Sequence, residues 1–196
     1  MVKIDVTFDE KTMNIFQNFI GKKFEKYKSD PFVYSYSVYG IVGLYIDKSV
    51  YKLTNFTEVM DYYGAKEDVA IFKFENSIDE EIKTFIINGK MIETYVDNTI
   101  SKIQIVNENQ KSFYKGEQDY DVWVTRGIIF FFADGLELSF EKPVWFSEEI
   151  YIDKGYNLIS RFTPEDEFPK HWENGYIAEC TRKIIEIKWK EKKKWK

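Results

Sequence analysis

Residues 127–140, GIIFFFADGLELSF, are the feature that most constrains the fold of this chain. Five large apolar side chains precede Asp134 and Gly135, and an alternating apolar–polar segment follows them. Apolar segments on either side of an Asp-Gly pair are typical of two antiparallel strands joined by a two-residue turn. The stretch therefore predicts a β-hairpin, and with it a sheet that has at least one buried face.

Both faces of the first hairpin strand carry large apolar side chains, so both must be covered. A two-residue turn places Phe131 opposite Leu138 on one face, which is then plainly core. Phe130 and Phe132 lie on the other face, opposite polar residues of the second strand. We expect a helix over residues 9–28 to cover them, and a partner protein is the alternative.

The amino-terminal residues predict a strand followed by one long helix. VKIDVTF alternates cleanly and indicates a short strand. Residues spaced three or four apart then predict a helix over 9–28 with a broad apolar face. They are Met13, Phe16, Ile20, Phe24 and Tyr27. Ser29-Asp30-Pro31 ends this helix, because a residue before proline is driven out of the helical region.

The rest of the chain predicts mainly strands. Alternating segments lie at 38–46, 49–54, 69–75, 100–106, 120–132, 136–141 and 176–189, whereas 57–63 favours a short helix. Segment 78–88 fits both a helix and a hairpin strand. The predicted fold class is α+β, a mostly antiparallel β-sheet with one long N-terminal helix and one or two short helices packed on it. Residues 1–196 are expected to form a single domain, in which the hairpin units 38–54 and 125–141 are candidates for an internal duplication.

Amino-acid composition indicates the kind of organism and the cellular compartment to expect. The chain has 25 Lys against 3 Arg and 23 Ile against 4 Ala, a bias typical of AT-rich coding sequence and hence of a low-GC bacterium or its mobile elements. A single cysteine excludes an intramolecular disulfide framework and favours the reducing cytoplasm. No apolar run approaches the length of a membrane span, so we expect a cytoplasmic protein with no membrane partner.

Charge is distributed unevenly along the chain. Residues 1–28 carry six lysines and four acids, and residues 182–196 carry eight basic and two acidic side chains. Since the whole chain has a net charge of −5, residues 29–181 have a net charge of −13. This indicates an acidic body with a basic tail over 190–196.

The chemistry-bearing residues exclude several enzyme classes. The one histidine, His171, cannot supply a site that needs several imidazoles, and the one cysteine, Cys180, cannot form a thiolate cluster. Cys180 also lies in a predicted buried strand with no electropositive neighbours to activate it. The Gly-rich motifs that commonly hold phosphates are absent from the sequence. We expect no cofactor.

Carboxylates are the remaining candidates for catalysis. Glu186 and Lys188 follow two isoleucines in a predicted strand, an arrangement found in magnesium-dependent nucleases. Such a site needs a further acid, and Asp119, Asp121 and Asp134 are the candidates, among which nothing in the sequence selects one. The same alternation is expected on the solvent face of an edge strand, so the pattern does not itself define a metal site.

Five aromatic side chains are candidates for binding: Trp145, Phe146, Phe130, Phe132 and Trp189. Trp145 and Phe146 follow Pro143, where the chain leaves the predicted sheet, and tryptophan is enriched in binding hot spots. Trp189 adjoins the basic tail, where lysines and tryptophans could bind single-stranded nucleic acid.

The sequence favours a non-enzymatic protein-binding module. One form of this hypothesis is an acidic inhibitor that imitates nucleic acid and fills a basic groove of its partner. Such a complex should dissociate at high salt, because exposed charge pairs are screened. The alternatives are a magnesium-dependent carboxylate enzyme and a nucleic-acid binder that acts through the tail.

Overall fold

The computed structural model describes residues 1–32, 36–84, 86, 89–143, 145–172 and 175–189. One α-helix, α1, spans Glu10–Gln17. The strands are β1 (Val2–Val6), β2 (Lys23–Ser29), β3 (Ser37–Tyr39), β4 (Ile41–Ile46), β5 (Ser49–Tyr62), β6 (Ala65–Ser77), β7 (Ile92–Tyr114), β8 (Glu117–Phe132), β9 (Glu137–Glu141), β10 (Glu149–Gly155) and β11 (Tyr176–Lys188). Short 3₁₀ turns lie at Asp79–Glu81, Leu158–Arg161, Glu165–Glu167 and Pro169–His171.

The strands form one sheet in the order β3-β10-β9-β8-β7-β2-β4-β5-β6, in which neighbouring strands are antiparallel. β7 belongs to both halves of this sheet, because residues 92–99 pair with β2 and residues 100–114 pair with β8. β1 lies parallel to β8, and β11 pairs with the second half of β7. Only Gly40 separates β3 from β4. The chain therefore passes directly from β3, at the edge beside β10, to β4 in the other half of the sheet.

The antiparallel sheet predicted from the alternation is confirmed, but the long N-terminal helix is wrong. Helix α1 ends at Gln17, and Gly21 has a φ of +83°, a conformation that turns the chain out of the helix. Residues 23–29 form strand β2 with a bulge between Phe24 and Lys26. The bulge inserts one residue, so Phe24 and Tyr27 face the core three positions apart and imitate helical spacing.

One other expectation from the sequence also fails. The predicted helix at 57–63 lies almost entirely within β5, where Phe56 pairs with Ile71 and Glu58 with Val69 of β6. In segment 78–88 the described residues hold only the 3₁₀ turn Asp79–Glu81, and positions 85, 87 and 88 lie outside the described residues. Among the described residues, no helix is long and apolar enough to cross a membrane.

The β8–β9 hairpin forms with a register one residue away from the predicted one. Its turn has three residues, since Phe132 N–H donates to the Leu136 carbonyl at 2.9 Å and Gly135 adopts a φ of +89°. Phe130 therefore lies opposite Leu138, so the two share the core face. A one-residue slip changes which residues share a face, and here it places Glu137 on the face of Phe131 instead of that of Phe132. The prediction that Phe131 shares the core face with Leu138 is therefore wrong.

The apolar core lies between the two halves of the sheet. Phe130 is fully buried, and its ring centroid lies 5.2 Å from that of Phe24 and 6.4 Å from that of Phe16. Residues of α1 and β2, both within the segment predicted to cover this face, therefore contact the hairpin. Phe132 is also buried, 5.8 Å from Phe24 between ring centroids.

The opposite face of the hairpin is covered by residues 157–172, which we call the cover segment. Phe162 packs with Ile129 in a small buried cluster. The acidic residues of β9 hold the segment in place: the Glu137 carboxylate accepts from Leu158 N–H at 2.8 Å, and that of Glu141 accepts from Thr163 N–H at 2.8 Å. Carboxylates on the second face thus satisfy backbone donors of an irregular segment.

Candidate functional site

A cleft of about 530 Å³ opens where the cover segment meets the tip of the β5–β6 hairpin. Six aromatic residues from three separate parts of the chain line it, and we call it the aromatic cleft. They are Tyr62, Tyr63, Trp145, Phe146, Phe168 and Trp172. Ligand sites are typically concave, largely apolar and supplied with a few polar groups, and this cleft has all three properties.

Tyr63 is held in the cleft by an unusual backbone conformation. It occupies the two-residue turn between β5 and β6 with a φ of +54°, where Gly, Asn or Asp is normally favoured. Its ring centroid lies 4.6 Å from Trp172 and 5.9 Å from Phe168, and its hydroxyl donates to the Gln110 carbonyl at 3.4 Å. A bulky residue remains in such a conformation only where its surroundings fix it.

Asp61 closes the same turn through two hydrogen bonds. Its Oδ1 accepts from Gly64 N–H at 2.9 Å and from the Tyr120 hydroxyl at 2.7 Å. Burial, together with this carboxylate, raises the pKa of Tyr120 to about 12. The hydroxyl therefore stays protonated and keeps donating at neutral pH, which ties the hairpin tip to β8.

Trp145 and Phe146 form the side of the cleft contributed by the chain after β9. Trp145 is buried, and its ring centroid lies 5.0 Å from that of Tyr62. Phe146 also lies 5.0 Å from Tyr62 but remains 53% exposed at the rim. The two residues predicted to form a contact surface therefore lie together at the cleft.

Two residues that line the cleft, Glu108 and Arg126, belong to a group of four nearly buried charged residues, which we call the charge cluster: Glu108, Arg126, Glu141 and Arg182. Glu108 accepts from Arg182 Nη2 at 2.6 Å, and its second oxygen lies 3.4 Å from Arg126 Nε. Arg126 Nη2 donates to the Pro143 carbonyl at 2.7 Å and lies 3.7 Å from Glu141.

Arg126 reaches the charge cluster because of a β-bulge. Thr125 pairs with Asn107 and Gly127 pairs with Val106, so Arg126 is left without a partner residue in β7. A bulge re-aims the side chain of its extra residue. Without the bulge, strict alternation would place Arg126 on the same face as Ile128 and Phe130, in the apolar core.

Burial shifts the pKa of one member of the charge cluster, Glu141, and of its neighbour Lys142. It raises the pKa of Glu141, although the hydrogen bond from Thr163 N–H and the charge of Arg126 both act to lower it. Burial, and after it the charge of Arg126, lowers the pKa of Lys142 to about 7. Lys142 Nζ donates to the Ala70 carbonyl and lies 4.7 Å from the centre of the Trp145 ring.

Cys180 lies beside Glu108 of the charge cluster, and His171 lies at the rim of the aromatic cleft. Burial, and then the Glu108 carboxylate, raises the pKa of the Cys180 thiol to about 12. The sulfur therefore stays protonated at neutral pH. His171 lies at the rim with a side chain that is 73% exposed, and its Nε2 is 3.9 Å from Glu167 Oε1.

The carboxylate candidates lie elsewhere. Glu186 is on β11, 3.3 Å from Lys102 Nζ and 3.1 Å from Lys188 Nζ. Asp134 is in the β8–β9 turn, where its Oδ1 accepts from Leu136 N–H at 3.0 Å. Among the residues that the structure describes, no group of three or more His, Cys, Asp or Glu side chains is placed to hold a metal ion.

Of the other binding candidates, Phe130 and Phe132 are in the core and Trp189 is 65% exposed at the end of β11. The basic tail, 190–196, lies outside the described residues. Sequence reasoning missed the charge cluster, although a signal was present. Two of the three arginines in a chain with 25 lysines belong to it, and arginine is preferred over lysine where a buried carboxylate needs several donors.

Comparison of the chain with protein families, curated proteins and solved structures finds no match. The function of this chain must therefore be inferred from the geometry and chemistry of its own site.

Proposed function

We propose that the protein is a non-enzymatic binding domain that holds a small aromatic molecule in the aromatic cleft. The observation that carries this proposal is the convergence of six aromatic side chains over two buried, charged residues of β7 and β8. The rings come from residues 62–63, 145–146 and 168–172, so chain segments far apart in sequence build one concave surface.

The energetics of the charge cluster support a functional role. Taking several charges out of water costs more than their mutual attraction commonly returns, and a well-packed apolar group of equal volume is often as stable or more so. The side chains of Glu108 and Arg126 are only 4% and 5% exposed. A buried arrangement that does not improve stability needs another reason, and orienting a ligand in an apolar cleft is the one that its position supports.

The binding experiment uses N-phenyl-1-naphthylamine, an uncharged dye that fluoresces in apolar sites. We expect saturable binding with one site per chain. Trp172→Ala should weaken binding about tenfold, because loss of one aromatic contact costs about 0.5–1.5 kcal/mol beyond the buried area. Trp189→Ala is the matched control, since Trp189 is exposed at the end of β11, and it should leave the affinity within about twofold.

Two results would contradict the proposal. One is a fluorescence increase that does not saturate at one dye per chain. The other is equal weakening by Trp172→Ala and Trp189→Ala, which would place the dye outside the aromatic cleft.

The acidic inhibitor predicted from the sequence remains a separate proposal. Its support is the net charge of −13 over residues 29–181. A pull-down from nuclease-treated lysate of a low-GC bacterium should then recover a nucleic-acid-handling protein at low salt and release it at about 0.5 M salt. A complex that survives the high-salt wash would contradict this hypothesis.

A further inference from the structure

Three residues that line the aromatic cleft each have one buried polar atom with no hydrogen-bond partner among the described residues. The atoms are Gln110 Oε1, Arg126 Nε and Trp145 Nε1. Their side chains are almost wholly buried, with residue exposures of 1%, 4% and 6%. Nearly all buried polar groups in folded proteins are paired, so three unpaired atoms around one cleft require an explanation.

Whether each of these atoms can donate or accept a hydrogen bond follows from its chemical group. Arg126 Nε and Trp145 Nε1 carry hydrogens and can only donate. Gln110 Nε2 donates to Glu108 Oε2 at 3.0 Å, and because an ionised carboxylate can only accept, the amide must be oriented with its NH₂ group towards Glu108. Gln110 Oε1 is therefore the unpaired acceptor. Among the described residues, these two donors and this acceptor make no hydrogen bond, although Arg126 Nε lies 3.4 Å from Glu108 Oε2.

The charges around the cleft favour an uncharged ligand. In the charge cluster, Arg126 and Arg182 balance Glu108 and Glu141. Burial lowers the pKa of the adjacent Lys142 to about 7, so its amine adds less than one full charge at neutral pH. A ligand with a net charge would leave a buried charge uncompensated.

The rings favour a flat ligand. Tyr63 and Trp172 meet edge to face with an interplanar angle of 79°, and Tyr62 and Phe146 with an angle of 77°. Edge-to-face pairs present at least one ring face to a third partner, against which a planar molecule can stack.

We infer that the aromatic cleft selects an uncharged, planar heteroaromatic molecule with two hydrogen-bond acceptors and one donor along one edge. A cyclic imide fused to an aromatic ring has this pattern: two carbonyl groups flank one N–H group. The carbonyls would accept from Arg126 and Trp145, and the N–H would donate to Gln110. This inference rests on the proposed function, since it names the ligand class of the same site.

The test compares three compounds as competitors of N-phenyl-1-naphthylamine on the full chain. Quinazoline-2,4-dione carries the imide edge, 3-methylquinazoline-2,4-dione lacks its N–H donor, and naphthalene lacks all polar groups. We expect quinazoline-2,4-dione to displace the dye at a concentration at least about tenfold lower than either of the others, because only it can complete all three hydrogen bonds.

A variant sharpens the test. Trp145→Phe removes one donor and keeps an aromatic ring in place. It should weaken the binding of quinazoline-2,4-dione about fivefold to tenfold and leave that of naphthalene within about twofold. The three-compound comparison on the unaltered chain decides the matter even if this variant does not fold.

The outcomes separate the two proposals. If the dye binds but naphthalene competes as well as quinazoline-2,4-dione, or if none of the three competes, the inference on ligand class is overturned and the binding cleft stands. If the dye does not bind and none of the three compounds changes the tryptophan fluorescence, the proposed function is overturned as well. Equal competition by the two diones would also overturn the inference, because the N–H donor would then have no partner.

Discussion

The two faces of the β7–β8 strand pair are built on opposite principles. On the core face, Phe130 is fully buried among apolar rings, and its neighbours Ile128 and Ile105 are fully buried too. On the cleft face, Glu108 and Arg126 are almost as well buried but are charged. Because charged and apolar side chains are buried to a similar extent, the hydrophobic effect alone does not account for the burial of Glu108 and Arg126.

The difference lies in how each face is stabilised. On the core face, each Å² of apolar surface removed from water stabilises the fold by roughly 25 cal/mol, whichever apolar side chain supplies it. The cleft face depends on particular partners, because each charge must be matched by an opposite one. We therefore expect a substitution on the core face to lower the free energy of unfolding in a way that no second substitution restores. On the cleft face, we expect a second substitution, at a residue of opposite charge, to restore part of the loss.

The largest expected effect is on the core face. Phe130→Ala removes a ring that contacts Phe16, Phe24 and Phe140, and it should lower the free energy of unfolding by about 4 kcal/mol through lost burial and the cavity left behind. Urea unfolding at pH 7 measures this. A loss below about 1 kcal/mol would show that the core between the two halves of the sheet is not packed as described.

The next effect breaks the charge cluster. Glu108→Gln leaves Arg126 and Arg182 without their shared carboxylate and should cost about 3 kcal/mol, measured in the same way. The double variant Glu108→Met, Arg126→Met removes one charge of each sign and should recover at least half of that loss. If the double variant is less stable than Glu108→Gln, the cleft face is stabilised by its ion pairs and the comparison of the two faces fails.

The sequence predicted that the hairpin strand is buried, but it assigned the core to the face of Phe131, whereas Phe130 and Ile128 occupy the core and Phe131 faces the cover segment. The continuous apolar run over residues 128–132 predicts a buried strand whichever turn joins the hairpin. The turn length was wrong because three residues with Gly135 at positive φ form a turn as readily as the predicted two. The helix over 9–28 was wrong because the bulge in β2 copies helical spacing.

The position of Arg126 illustrates what the sequence could not reveal. Its bulge follows from how β7 and β8 pair over a long distance, and no local pattern marks it. The aromatic residues of the cleft come from segments up to about 110 positions apart, so only the folded chain brings them together. Trp145 and Phe146 were identifiable because Pro143 marks where the chain leaves the sheet.

The smallest predicted effect concerns the pH dependence of the cleft face. The pKa of Lys142 is about 7 in the folded protein and near 10.5 in an unfolded chain, so the unfolded chain binds more protons between these values. Stability contributed by this group must therefore rise as the pH increases from about 7 towards 10, and below pH 7 the full cost of the buried charge remains.

Lys142→Met removes this titration while retaining an apolar side chain of similar length. The free energy of unfolding, measured by urea titration between pH 6 and pH 9, should rise more steeply with pH in the unaltered protein than in the variant, by at most about 1.4 kcal/mol per pH unit. Parallel curves would mean that the Lys142 amine keeps its proton in the folded protein. The cleft face would then carry one positive charge that Glu108 and Glu141 do not balance. Phe130→Ala is the control, because a purely apolar loss should shift the curve without changing its slope.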